Sequence, residues 1–261
     1  MYIDREKRLA HLKDPEVRQA MIRLLDHWER AFRHQDVELT GFFDPYYIQI
    51  SSDLLKGLSE MSFSVYGGYD QAERARIAIY PTFIEEVDFQ LGFIRVQGNF
   101  KFRQVTYRDY LGSLLGLGLT REKFVDIIVL EGGCQLITDK DIVHYLLANW
   151  IKVNQVPVQA IEISPEELVL PPMNYKEIKA TVASPRLDAV LGIGFGCSRT
   201  RTLPDIKGGR VRVNYKTVND PSFRLKTDDR ISWQGRGRLQ VGELTGPSQK
   251  GRLFIKIFRF V

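Results

Sequence analysis

Three prolines within a short stretch, Pro165, Pro171 and Pro172, constrain this chain more than any other feature. Proline has no N–H to give to a helix or a strand ladder, and it pushes the residue before it out of the helical region. Ser164 to Tyr175 therefore reads as an extended connector, placed at 166–180, and each side must bury a core of its own. The charge changes sign across it. Residues 181–261 hold 16 Lys and Arg against 6 Asp and Glu, a net of +10. Of the 37 basic and 32 acidic side chains in the whole chain, 21 and 26 then fall in residues 1–180, a net of −5. Positive charge segregated in this way is the footprint of a polyanion-binding module joined to neutral or acidic partners.

Before the connector, Leu9, Leu12, Val17, Met21, Leu24, Leu25, Trp28 and Phe32 recur at three- and four-residue spacing. This predicts a helical hairpin over 5–34, with Asp14 and Pro15 as cap and first turn of its second arm. A further helix is read from Ile48 to Leu58. Two short strands, Phe63–Tyr66 and Arg76–Tyr80, flank the Gly67-Gly68 turn, and Pro81 ends the pattern. From 85 to 163 the signals run strand (89–96), helix (107–117), strand (126–130), strand (135–138), helix (141–153), strand (158–163). That βαββαβ order is the split pattern of ferredoxin-like and RRM-like sandwiches, and Gly132-Gly133 suits the hairpin between its middle strands. The fold expected is α+β, with an N-terminal helical α/β unit at 1–80, an RRM-like sandwich at 81–165 and a third unit at 181–261.

In the third unit, Ser184-Pro185 reads as the cap and first position of a helix carrying Leu187, Val190 and Leu191 on one face. Ser198 caps a second short helix that ends near Gly208-Gly209. Val211 and Val213, then Val218, Phe223 and Leu225, then Ile231 and Trp233 alternate as strands of a small sheet, and Phe254 to Phe258 gives a last strand. Arg186-Leu187-Asp188-Ala189-Val190-Leu191, Ser198-Arg199, Ile206 to Asn214 and Asp228-Asp229-Arg230-Ile231, in this order, resemble the S4-type RNA-binding domain. The resemblance implies two short helices on a small sheet, with RNA lying on the helices and the following turn. Its RNA face would include Arg186, Ser198, Arg199, Arg201, Lys207, Gly209, Arg210 and Asn214. Pro204, inside the second helix, and Asp205, at a position the pattern keeps apolar, depart from it.

The resemblance extends further. Tyr107 to Lys123, followed by Asp126-Ile127, is similar to the central block of the YlmH family of S4-domain proteins, whose photosynthetic members carry the label photosystem II S4-domain proteins. Gly67-Gly68-Tyr69, Ala72-Glu73-Arg74 and Thr40 to Pro45 resemble its N-terminal block. This implies a ribosome-associated RNA-binding protein in the bacterial cytoplasm or plastid stroma. Its partner would be structured RNA, above all rRNA of the large subunit, with tRNA nearby, and stalled subunits its setting. Neither cofactor, metal, small-molecule substrate nor membrane is expected, and no catalytic residue. The alternatives are an RNA-modifying enzyme targeted by an S4 arm and a plastid or thylakoid assembly factor.

The remaining features are weighed against plainer readings. Arg186-Leu187-Asp188 also matches the catalytic triplet of one pseudouridine synthase class, but the rest of that domain is missing and a carboxylate suits a helix's first turn. Cys134 and Cys197 lack CxxC spacing, and the histidines at 11, 27, 34 and 144 lack metal-ligand spacing. Gly192 to Gly196 lacks the trailing Lys-Ser/Thr of a phosphate loop. The longest apolar run, Tyr110 to Leu119, is too short for a bilayer, and the charged start at Asp4 to Arg8 reads against a secretory signal. Arg121-Glu122-Lys123, with Arg108, is either a second RNA contact or a self-paired turn. Phe100 and Phe102, interleaved with Lys101 and Arg103, fit packing better than base stacking, since no RNP pattern accompanies them.

Overall fold

Two Asp-Pro steps set the N-terminal helices. In the computed structural model, which describes residues 4–58, 60–70, 72–100, 105–172, 174–247 and 251–260, a short helix α1 (Arg5–Leu9) precedes α2 (Pro15–His34). Asp14 caps α2, its carboxylate accepting from the N–H groups of Glu16 and Val17 at 2.9 and 3.5 Å. After β1 (Glu38–Leu39), Asp44 does the same for α3 (Pro45–Lys56), accepting from Tyr46 and Tyr47 at 3.1 Å. The helix read from Ile48 therefore starts three residues earlier, because carboxylate and proline together define its first turn. Strands β2 (Met61–Tyr66) and β3 (Arg76–Pro81) complete a three-stranded sheet in the order β1-β3-β2. Met21, Leu24, Leu25 and Trp28 of α2 pack there with Leu55, Ile77 and Ile79.

The sandwich follows as β4 (Leu91–Gly98), α4 (Tyr107–Gly116), β5 (Phe124–Leu130), β6 (Gly133–Asp139), α5 (Val143–Asn149), β7 (Lys152–Val153) and β8 (Val156–Glu162). The sheet order β5-β6-β4-β8-β7 is antiparallel throughout and carries the split topology that the sequence implies. The helix read over 141–153 stops at Asn149. Asn154, at φ +54, turns the chain so that Lys152–Val153 pairs back on β8. Phe100 packs in the core, its ring 6.0 Å from that of Tyr110, whereas Lys101, Phe102 and Arg103 lie outside the described residues.

The glycine pair between β5 and β6 has two separate causes. Gly132 sits at φ +80, which only costs strain to another residue, but a Cβ on Gly133 would stand 1.9 Å from the Val96 carbonyl oxygen of β4. Gly133→Ala is expected to destabilise by about 1–3 kcal/mol, as overpacking against backbone does. Gly132→Ala should cost about 1–2 kcal/mol from left-handed strain alone. Thermal melts of the two, with a shifted β4–β6 register by amide exchange in the first only, check this.

The N-terminal sheet and the sandwich belong to one compact unit, Met1–Pro171. Phe42 joins Phe93, Val125 and Ile137 in a shared cluster. The buried guanidinium of Arg76 on β3 donates to Asp139 at the end of β6 at 2.9 Å, and to the carbonyls of Thr40, Phe89 and Gln90 at 3.0–3.2 Å. Lys123 adds a second cation 3.3 Å from the Asp139 carboxylate.

The second unit, Pro172–Val261, is built from β9 (Tyr175–Val182), α6 (Leu187–Phe195), α7 (Arg199–Lys207), β10 (Val211–Val213), β11 (Lys216–Thr217), β12 (Arg230–Trp233), β13 (Gly237–Pro247) and β14 (Leu253–Phe260). The six-stranded sheet runs β11-β10-β12-β13-β14-β9. Leu187, Val190 and Leu191 pack on Val211, Ile231, Trp233, Leu239, Val241, Ile255 and Ile257. Strand β9 begins inside the stretch read as connector at 166–180. One of its faces is charged and mostly solvated, so its sequence lacks the apolar weight of a central strand. Conversely, Val218 to Leu225 is a loop apart from an isolated bridge between Arg186 and Arg224.

Candidate nucleic-acid interface

Helices α6 and α7 carry the residues that the sequence singles out. α6 begins at Leu187 with Arg186 as its N-cap, not at Ser184-Pro185. The N–H groups of Leu187 and Asp188 are taken by the carbonyls of Phe223 and Pro221 at 2.9 and 3.1 Å, so the loop before β12 covers the end of this helix. Arg186 is half-exposed and its fork closes on the buried Asp188, Nε to Oδ1 and Nη2 to Oδ2, both at 3.1 Å. The hydrogen bond and charge of Asp188 hold the guanidinium above its ordinary pKa. Asp188 also accepts from the Ala189 N–H at 2.8 Å. Arg186 thus first neutralises a buried carboxylate, and its outer edge is what remains for a ligand.

α7 is different. Ser198 caps it, its hydroxyl oxygen accepting from the Arg201 N–H at 3.3 Å. Thr202 and Ile206, one turn apart, face the core and leave Arg199, Arg201 and Lys207 exposed to solvent. Pro204 lies inside the helix without ending it. The N–H it lacks would have reached the carbonyl of Thr200, an exposed residue that solvent can serve. Asp205 stands where the family pattern is apolar because it has two partners: Trp233 Nε1 donates to it at 2.9 Å and Arg210 at 3.1 Å. The helix closes in a Schellman motif, with the Gly209 N–H on the Ile206 carbonyl and the Arg210 N–H on that of Asp205. Gly209, at φ +71, is required by this cap.

Asn214 sits at φ +47 in the β10–β11 turn with its amide engaged at both ends, donating to Asp229 at 2.8 Å and accepting from the Arg230 N–H at 2.9 Å. The structure thus brings Ser198, Arg199, Arg201 and Lys207 to one exposed helix. Gly209 closes that helix, Asn214 holds the β10–β11 turn, and Arg186 and Arg210 are each tied to a carboxylate. Sequence reading missed those tying residues, Asp188, Asp205 and Asp229. Asp188 and Asp205 leave a weak sequence signal, an acid 2 and 5 residues from Arg186 and Arg210, whereas Asp229, 15 residues from Asn214, leaves none.

In the first unit, Arg121 donates to the Phe124 carbonyl and the Tyr107 hydroxyl at 3.2 Å, and its guanidinium lies 4.4 Å from the centre of the Phe124 ring. Lys123 is paired with Asp139, so this turn is packed and paired, while Arg108 on α4 is exposed. Among the described residues, no group of three or more His, Cys, Asp or Glu is placed to hold a metal, and no helix is long and apolar enough to cross a membrane.

Comparison with known proteins places this geometry. Three family models match: "YlmH, N-terminal" over residues 16–84, "Putative RNA-binding domain in YlmH" over residues 84–167, and "S4 domain" over residues 185–231. A Bacillus subtilis (strain 168) protein named "Ribosome-associated protein quality control protein P2" is 34% identical over 228 residues, which are 86% of this chain and 88% of that protein. A solved structure, "Cell division protein ylmH from Streptococcus pneumoniae", shares the fold at TM-score 0.51 and 22% identity, over 59% of this chain and 94% of its own. With N-terminal, central and S4 matches in one order, and a relative at this identity along most of both chains, this chain belongs to the YlmH family of S4-domain proteins.

Proposed function

We propose that this chain is a non-enzymatic RNA-binding protein of the cytoplasm. It grips structured rRNA of the large ribosomal subunit, with tRNA as a neighbour, during quality control of stalled subunits. The observation that carries the reading is the exposed α7, where Arg199 and Arg201 flank a Ser198-capped N-terminus and Lys207 stands in the last turn, in the basic third of the chain. A guanidinium fork binds phosphate through two N–H groups, and a helix N-terminus favours an anion. A-form RNA is recognised mainly by shape, phosphate and 2′-OH contacts, for which a compact convex surface suffices. The name of the Bacillus subtilis relative supports the ribosome as the setting. Crosslinking in cells, followed by sequencing of the bound RNA, is expected to enrich large-subunit rRNA. Reads confined to mRNA would reject the proposal.

Asp188 speaks against the rival reading as a base-modifying enzyme. A nucleophilic carboxylate must reach its substrate, but this one is buried under the Arg186 fork. The purified protein is expected to form no pseudouridine in rRNA, and Asp188→Asn to leave RNA binding largely intact. Base modification in the wild type that disappears in Asp188→Asn would restore the enzymatic reading.

A further inference from the structure

The sheet of the second unit has another face. Its inner face sends Val182, Leu239, Val241, Ile255 and Ile257 into the core. Strand side chains alternate, so the residues between them point away from the helices. On β9 these are Tyr175, Glu177, Lys179 and Thr181, and on β14 they are Phe254, Lys256, Phe258 and Phe260. Register sets Lys256 directly opposite Lys179, with the Phe258–Glu177 pair on one side and the Phe254–Thr181 pair on the other. Two cations thus sit side by side between aromatic rings.

The rings differ in how well packing explains them. Phe258 covers Gly242, where an added Cβ would stand 2.7 Å from the ring, and it meets Tyr175 edge to face at 5.0 Å. Covering a strand glycine with an aromatic protects the sheet, so Phe258 has a structural role. Phe254 and Tyr175 remain 49% and 54% exposed. The lysines have acidic neighbours, Lys256 with Glu243 at 3.4 Å and Lys179 with Glu177 at 3.3 Å. Both are exposed pairs, which contribute little and can exchange a carboxylate for a phosphate. Farther across the sheet, Arg238 on β13 and Arg212 on β10 both lie opposite Ser232 of β12, so the positive charge continues on this face.

We infer that this face binds unpaired RNA, its bases stacking on Phe254 and Tyr175 and its phosphates meeting Lys179 and Lys256. Exposed aromatics interleaved with cations on a sheet are the arrangement that takes single strands, because every base has a face to stack and every nucleotide a phosphate to pair. The α7 surface, which offers cations and a helix end but no exposed ring among its named residues, suits a duplex instead. RNA as the partner class rests on the reading proposed above. The location and the strandedness rest on this face alone.

The test uses the full chain and two probes, a ten-nucleotide oligouridylate carrying 5-iodouridine and a blunt-ended RNA hairpin. Photocrosslinks to the oligouridylate are expected on Tyr175 and Phe254. Tyr175→Ala with Phe254→Ala should weaken oligouridylate binding about tenfold or more, the scale of base stacking on aromatics, and leave hairpin binding unchanged. Arg199→Ala with Arg201→Ala should do the reverse, and Phe254→Trp should retain binding of the single strand. Unchanged oligouridylate affinity in a folded aromatic double variant, or crosslinks confined to α7, would overturn the inference while leaving the α7 reading intact. Loss of self-association instead of RNA binding would make the face a protein interface and overturn it too. Failure of the wild type to bind either probe would remove both readings together.

Discussion

Asp139→Ala is expected to destabilise the first unit by about 3–5 kcal/mol, the cost of leaving a buried charge without its partner. Arg76 is only 4% exposed at its side chain, and its remaining bonds, to the carbonyls of Thr40, Phe89 and Gln90, do not neutralise it. Replacing both charges, Arg76→Met with Asp139→Leu, should recover much of the loss, because the desolvation of the two ions is removed with their attraction. Denaturant unfolding followed through Trp28 and Trp150 measures both. A double variant as unstable as the single would show that the pair matters for shape and not for charge balance. Burial pushes the Asp139 carboxyl up, but Arg76 and then Lys123 outweigh it and leave the pKa below its ordinary value. A depressed carboxylate stabilises the fold above its unfolded pKa of about 3.9, and that stability is lost as pH falls through the folded value. Wild type should therefore lose stability below about pH 4 more steeply than the charge-free double variant.

Arg199→Ala with Arg201→Ala is expected to weaken binding of an RNA hairpin by about 2–4 kcal/mol. Charge-assisted hydrogen bonds contribute about 1.5–3 each and add incompletely. Lys216→Ala with Lys226→Ala, which removes the same charge from exposed positions on β11 and the loop before β12, should cost under about 1 kcal/mol. Filter binding at matched salt separates the two, once circular dichroism shows both variants folded. Equal losses would mean a diffuse basic surface in place of a site on α7. Arg186→Ala is a poor test of RNA contact, because it strands Asp188 in the interior. Its first effect should be on melting. Arg224 is no neutral control either, since its backbone pairs with that of Arg186.

The parts legible in the sequence were those whose signal is local and repeated. α2 shows its apolar face at helical spacing, and the strands around Gly132 are short apolar runs with a glycine turn between them, so both the helical hairpin and the split sandwich are legible in the sequence. The parts misread depend on distant partners. β9 is a strand because β14 lies beside it, and Lys152–Val153 is a strand because β8 does. The site divides in the same way. The exposed α7 cations follow from a Ser cap and a helix, but whether Arg186, Arg210 and Asn214 are available depends on which acid each one meets. That is a tertiary fact with only a weak trace in sequence.

The strand order of the second unit has a consequence for how the chain is made. β9 has a single neighbour in its sheet, β14, which follows the helices and the other strands of the unit. At ordinary rates of synthesis the roughly seventy residues between them take on the order of ten seconds to emerge. During that interval the β9 segment has no partner strand, and an unpaired strand-forming segment can recruit a foreign one. Lys176, Glu177 and Lys179 make it a poor template for such pairing, because a neighbour joining it must come to terms with exposed charge. The same charges that hid this strand from sequence reading keep it unattached until β14 arrives.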